Sequence, residues 1–255
     1  MSEPISISFK DGAELSAILS KPKEGGLIDL ERKLIIMVHG FPGHKSTQNN
    51  LYGDLEFILN DKGFHTLRFD FFGCGQSSGE EHEFTLKSAR ESLSAVKEWA
   101  TNNAYQEFIF ISEGMGTICA LLEMELNLTC QIMLWPALDP PALAKTLYGS
   151  DNIPKEAMED GRIPVGDYKI GLPFVKELVQ TNLRGAFQNV TMPVLILHGS
   201  SDELHPIGQL DLARKYMTSK RIEITTFHDG LHGLPSPNHR KSMAFHITQF
   251  LEKFA

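Results

Sequence analysis

The chain has 255 residues, of which 42% are hydrophobic, and carries a formal net charge of −8. This length and apolar content allow one substantial hydrophobic core, while the acidic excess argues against nucleic acid or an anionic membrane surface as the partner. No apolar run approaches the roughly 20 residues that span a bilayer, so we expect no membrane insertion.

Strands alternate with helices along most of the chain. The first residues predict a hairpin that turns at Asp11 and Gly12. Apolar patterning then predicts strands at 34–38, 66–70, 108–111, 131–135, 193–198 and 222–227, and helices at about 50–62, at 85–100 and at the C-terminus. This order predicts one α/β domain over residues 1–255, with a mostly parallel central sheet and helices on both faces. Ligands bind such sheets at the carboxyl ends of the strands.

Residues 137–188 interrupt this alternation. They contain Pro140, Pro141 and several glycines, and they predict a short hairpin at about 162–171. A segment of this kind between two core strands predicts a lid insertion over the site.

The segment 107–120 carries the most informative pattern, and it reads EFIFISEGMGTICA. An apolar strand, a turn of small residues and an apolar helix start match the nucleophile elbow, G-x-S-x-G. Aligned on Gly116, Gly114 stands where the serine is expected and Ser112 where the first glycine is expected. Gly114 has no side chain to attack a carbonyl, although glycine adopts the positive φ of such a turn more readily than serine does.

Two later strand ends supply an acid and a base. Asp202 lies in HGSSDELHP after one predicted strand, and His232 lies in DGLHG after the last. A carboxylate can orient a histidine by accepting its ring N–H, and the histidine can then act as a general base. Glu203 and His228 are the alternatives for these two roles.

The loop at 39–43 reads HGFPG and follows the first parallel strand. A glycine-rich turn there can direct the Phe41 N–H at a developing oxyanion, with the Met115 N–H as the second donor. An ordinary loop is the alternative interpretation.

Three other side chains are candidates for the nucleophile in place of position 114. Ser112 is expected to point into the sheet packing, Cys119 lies within a helix, and Cys74 lies on a loop where a nearby histidine could activate its thiol. A water molecule activated by His232 would give slow hydrolysis.

The segment 73–78 lacks the third glycine of a dinucleotide fingerprint, and the ten histidines show no metal-ligand spacing, so no cofactor and no metal are expected.

These segments together resemble the α/β-hydrolase family over nearly the whole chain. Within that family the chain is most similar to bacterial feruloyl and cinnamoyl esterases and related serine-peptidase-like carboxylesterases. The resemblance implies an oxyanion hole from Phe41 and Met115, Asp202 and His232 as triad partners, and a substrate lid at 137–188. It also implies that Tyr168 in the lid hairpin contacts a phenolic substrate.

The chain departs from the pattern of that family at four positions. Gly114 replaces serine, Glu113 replaces a histidine, Thr117 replaces a glycine and Cys74 replaces a histidine. We therefore predict a carboxylic-ester hydrolase scaffold that lacks its nucleophile and is inactive or very weak, with a small acyl ester or a similar ligand as partner. The alternatives are a natural non-catalytic protein that binds a ligand or partner, and an engineered nucleophile variant of an active esterase.

The cysteines and the first residues predict the compartment. The chain has an odd number of cysteines, with no C-x-x-C pair, as is typical of reduced thiols in cytosolic proteins. The sequence begins MSEPIS, without the basic and apolar regions of a signal peptide. We therefore expect a cytoplasmic protein.

Overall fold

The computed structural model describes residues 2–22, 30, 32–124, 127–148, 159–165 and 167–255. Its strands are β1 Ser2–Ser8, β2 Glu14–Ser20, β3 Lys33–Val38, β4 His65–Phe69, β5 Glu107–Glu113, β6 Leu128–Leu134, β7 Arg162–Val165, β8 Tyr168–Gly171, β9 Val194–Gly199 and β10 Ile222–Phe227. Eight of them form one sheet in the order β1-β2-β4-β3-β5-β6-β9-β10, and β7 pairs with β8 as a separate hairpin. The strands predicted from apolar patterning are confirmed, with shifts of a few residues at their ends.

Helices cover both faces of the large sheet. They are α1 Leu51–Asp61, α2 Leu86–Asn102, α3 Gly116–Leu122, α4 Pro140–Tyr148, α5 Leu172–Gln180, α6 Arg184–Gln188, α7 Leu210–Tyr216 and α8 Pro237–Phe254. One apolar core lies under α2, α3 and the 137–188 insertion, and a second lies under α1 and α8. None of the helices described is long and apolar enough to cross a membrane.

Local sequence explains where the helices begin and which side they bury. The Thr85 hydroxyl caps α2 by accepting the Ser88 N–H at 2.9 Å, as expected of a threonine before an apolar repeat. The apolar residues of α2 recur at a spacing of three and four and lie on one buried side, which comprises Leu86, Ala89, Leu93, Val96 and Ala100. In α8, Leu251 is buried, whereas Phe254 is only partly buried in the last turn.

Strand register brings the site residues to one edge. β1, β2 and β4 pair antiparallel, whereas β4, β3, β5, β6, β9 and β10 run parallel. Their carboxyl ends therefore align, through the pairs Val38–Ser112, Glu113–Leu134, Leu134–Leu197 and Gly199–Phe227. The loops that follow β3, β5, β9 and β10 meet at this edge.

The 137–188 insertion packs on the same edge; its residues 149–158 and 166 lie outside those described. The predicted hairpin at 162–171 is confirmed as β7 and β8. Helix α5 is tied to the start of α2, because Glu177 accepts the Leu86 N–H at 2.5 Å. The Phe41 ring stacks on Phe84 at 3.8 Å, and both rings meet Phe174 of α5 edge-on.

Candidate active site

Gly114 forms the turn between β5 and α3. Its φ is +49°, and its carbonyl accepts the N–H groups of Thr117 and Ala137 at 3.2 and 3.0 Å. The predicted strand–turn–helix geometry is therefore present. Ser112 is fully buried with its hydroxyl 3.1 Å from that of Thr117, so it points into the packing, as predicted.

Asp202 and His232 form the predicted pair. The Asp202 Oδ2 lies 2.9 Å from the His232 Nδ1, although the two residues are on different loops. Those loops are joined directly, because the Ser201 N–H donates to the Gly230 carbonyl at 2.9 Å. Both nitrogens of the imidazole are thus assigned: Nδ1 faces the carboxylate, and Nε2 is the nitrogen left for a substrate or a water molecule.

The charge of Asp202 is stabilised in this position. Burial by itself raises the pKa of Asp202, but the bond to His232 and the N–H of His205 outweigh it and hold the pKa below its usual value. The carboxylate therefore stays ionised at neutral pH and can stabilise an imidazolium at His232.

The loop after β3 is fixed by a buried histidine. The His39 Nε2 accepts the Phe71 N–H at 3.1 Å, and its Nδ1 lies 2.6 Å from the Gly40 carbonyl. Within the described residues, the main-chain N–H groups of Phe41 and Met115 donate to no protein group. Both are therefore free to donate to a ligand.

One cleft of about 600 Å³ lies at this edge of the sheet and is bordered by Gly114, His232 and the loop after β3. One side of the cleft, its floor, is formed by Gly114, Phe41, Met115 and His232. Another part of the lining, its wall, comes from the insertion. The cleft is lined by both apolar and polar side chains. Its other lining residues include Trp135, Leu143, Leu147, Val165, Asp167, Tyr168 and Arg240. Tyr168 lies on this wall with 37% of its surface exposed.

The sequence patterns assign no chemical role to two titratable residues of the cleft, Glu113 and His205. Glu113 lines it next to Gly114, and burial raises the pKa of Glu113 to about 7, although the Gly40 N–H donates to its carboxylate at 3.2 Å. His205 is buried beside Gly114: a Cβ atom on that glycine would lie 3.3 Å from the His205 Nε2. The only signal for His205 is that it lies three residues after Asp202.

The alternative site residues lie elsewhere. The His228 side chain is 92% exposed and pairs with Asp229, and Glu203 is exposed. Cys74 is buried and borders a different cleft, and burial raises its pKa well above the usual value, which opposes an activated thiolate. The 73–78 loop wraps Asp70, whose Oδ2 accepts the Gln76 N–H at 2.9 Å. Among the described residues, no three His, Cys, Asp or Glu side chains are grouped to hold a metal ion.

Buried histidines predict an acid-sensitive fold. Burial lowers the pKa of His39 from 6.5 to about 4 and that of His205 to about 3. The unfolded chain therefore binds more protons at these two sites as the pH falls below 6.5, and the free energy of unfolding falls with it. The raised pKa of Glu113 has the opposite effect between pH 4.5 and about 7, whereas the lowered pKa of buried His198 adds to the acid sensitivity.

We expect urea midpoints to decrease from pH 6.5 to pH 4.5, and to decrease less in His39→Gln. Each histidine contributes about 2 kcal/mol to this dependence over the two pH units. Urea unfolding of both proteins at four pH values measures it. Parallel curves for the parent and the variant would contradict the assignment to His39.

Residues 33–122 match the family model described as alpha/beta hydrolase fold. The structure of Est1E from Butyrivibrio proteoclasticus with ferulic acid superposes with a TM-score of 0.82 at 25% identity, covering 98% of both chains. Alpha/beta hydrolase domain-containing protein 10 from mouse superposes at 0.77 with 19% identity, covering 98% of this chain and 99% of that one.

Two curated sequences match a shorter segment. An acyl transferase of Vibrio harveyi is 26% identical over 111 residues, and one of Photorhabdus luminescens is 29% identical over 98 residues. The matched segments are 43% and 38% of this chain, and they span only 34% and 31% of those relatives.

Proposed function

The chain has the α/β-hydrolase fold and resembles esterases, and from this premise we propose that it binds carboxylic esters and hydrolyses them only slowly. The contact between the Asp202 Oδ2 and the His232 Nδ1 carries this proposal, since His232 and Gly114 line the same cleft. A base oriented by a carboxylate can activate water, but Gly114 offers no hydroxyl for an acyl intermediate.

In the proposed reaction, the protein groups that contact the reacting atoms are one imidazole and two main-chain N–H groups. His232 takes a proton from water as the water oxygen attacks the ester carbonyl. The N–H groups of Phe41 and Met115 stabilise the oxyanion, and His232 returns the proton to the departing alcohol. Without a serine, an enzyme of this kind retains roughly 10³-fold acceleration over water.

The residues of the insertion that line the cleft favour a substrate with an aromatic acyl group. Residues 137–188 are the proposed substrate lid, with Tyr168 as a contact for a phenolic ring and Leu143 and Leu147 as apolar wall. Est1E, which superposes with this chain, has been solved with ferulic acid bound. We therefore propose an aromatic ester as ligand. The odd number of cysteines supports a cytoplasmic location, and the net charge of −8 supports the absence of a nucleic-acid partner.

A non-catalytic binding protein is the second candidate. Gly114 favours it, because a glycine offers no nucleophilic side chain at the turn that faces the cleft. Binding of an aromatic ester without turnover distinguishes this candidate.

A panel of short-chain and aromatic nitrophenyl esters tests the proposal. We expect slow turnover by the parent and a fall to near the buffer rate in His232→Ala, because the base is removed. His228→Ala is the matched control, since that histidine is exposed and outside the cleft. Equal rates and equal ligand affinity in the parent and His232→Ala would show that the cleft is assigned wrongly.

A further inference from the structure

The space above Gly114 is bounded by a second histidine. A Cβ atom on Gly114 would have the His205 Nε2 at 3.3 Å, and apart from chain neighbours no other heavy atom of the described residues would lie within 4 Å. A methyl-sized volume is therefore present at the position of the missing side chain. A water molecule needs about this volume and two or more polar partners.

The loop after β9 directs His205 into this space. The Asp202 Oδ1 accepts the N–H groups of Leu204 and His205 at 3.0 and 2.9 Å, which curls the loop around the carboxylate. The ring of His205 then lies 5.0 Å from that of His232, at an angle of 69°. One carboxylate thus holds both imidazoles: His232 through its ring and His205 through its main chain.

The surroundings keep the His205 imidazole neutral. Burial lowers its pKa most, the charges of His232 and His198 add to this, and the Asp202 charge and a backbone hydrogen bond at Leu204 oppose it. The Nε2 of this neutral ring faces the space above Gly114, where it can accept a hydrogen bond. An acceptor at this position suits a water O–H.

We propose that His205 and His232 together hold the hydrolytic water above Gly114, with His205 as a positioning residue. This inference rests on the proposed function. The water donates one O–H to each Nε2, so that a lone pair of its oxygen points at the substrate carbonyl.

Attack forms the new C–O bond and passes the proton to His232, which Asp202 stabilises as an imidazolium. Collapse of the tetrahedral intermediate breaks the ester C–O bond, and the proton on His232 goes to the alkoxide. The acid and the alcohol are the products, with no covalent acyl intermediate. Pre-steady-state assays should accordingly show no burst of nitrophenol.

The test compares two replacements of His205 of similar size. Glutamine reaches about as far as Nε2 and keeps a hydrogen-bonding group there, whereas methionine fills the space without one. With a nitrophenyl ester we expect His205→Gln to keep kcat within about 3-fold and His205→Met to lose roughly 10- to 100-fold, with KM unchanged in both. Urea unfolding checks that both variants are folded, and His228→Met is the exposed control.

The outcomes separate the two proposals. Equal kcat for His205→Gln and His205→Met, with activity lost in His232→Ala, would overturn the positioning role and leave the proposed function intact. A burst that the parent shows and His205→Met lacks would also overturn it, because it would make His205 a nucleophile. A parent rate no higher than the buffer rate would overturn both.

Discussion

We expect the double variant Gly114→Ser, His205→Val to hydrolyse nitrophenyl esters at least about 100-fold faster than the parent. Serine and histidine act as one unit in serine hydrolases, and loss of the serine alone costs about 10⁶ in kcat in a well-studied case. In this chain the partners of such a serine are present, with Asp202 bonded to His232 at 2.9 Å.

The single variant Gly114→Ser should gain much less. Its Cβ would lie 3.3 Å from the His205 Nε2, closer than most side-chain contacts, so the histidine must shift by a few tenths of an ångström. The new hydroxyl would also find the neutral Nε2 of His205 as an acceptor in competition with His232. Valine at position 205 is smaller and has no acceptor, so it removes both obstacles.

Covalent labelling by a fluorophosphonate, measured by mass, follows the serine directly. The parent and His205→Val should remain unlabelled, and the double variant should gain one adduct that is lost when His232 is also replaced with alanine. A folded double variant that gains neither label nor rate would show that position 114 does not face His232.

Much of the fold follows from the sequence because its signals are local and strong. Residues 34–38 form a continuous apolar run, and the 3, 4 spacing in α2 marks one apolar side, so strand and helix are separable without tertiary information. The partial burial of Phe254 could not be predicted, because it depends on which tertiary neighbours reach the last turn of α8.

The candidate site, like the fold, could be predicted from the sequence only in part. Asp202 and His232 follow strands whose carboxyl ends share one edge, so their proximity could be predicted from topology. His205 could not be predicted, because its direction depends on how the loop curls around Asp202, which no local pattern records. The pKa of Glu113 depends likewise on burial against the loop after β3.

We expect Gly116→Ala to lower the free energy of unfolding by about 3 kcal/mol or more. Its Cβ would lie 2.3 Å from the His39 carbonyl oxygen and 2.7 Å from that of Val38. Both contacts are main-chain atoms of β3 or the loop after it, so no side chain can turn aside. Helix α3 or the loop must move.

Gly185→Ala is the matched control. It adds the same methyl group within helix α6, where a Cβ meets no atom within 4 Å, and should be neutral or stabilise by up to about 1 kcal/mol. Urea unfolding measures both variants. Near-equal stability of Gly116→Ala and the parent would contradict the close approach of α3 to β3, and with it the geometry that brings the Met115 N–H beside the Phe41 loop.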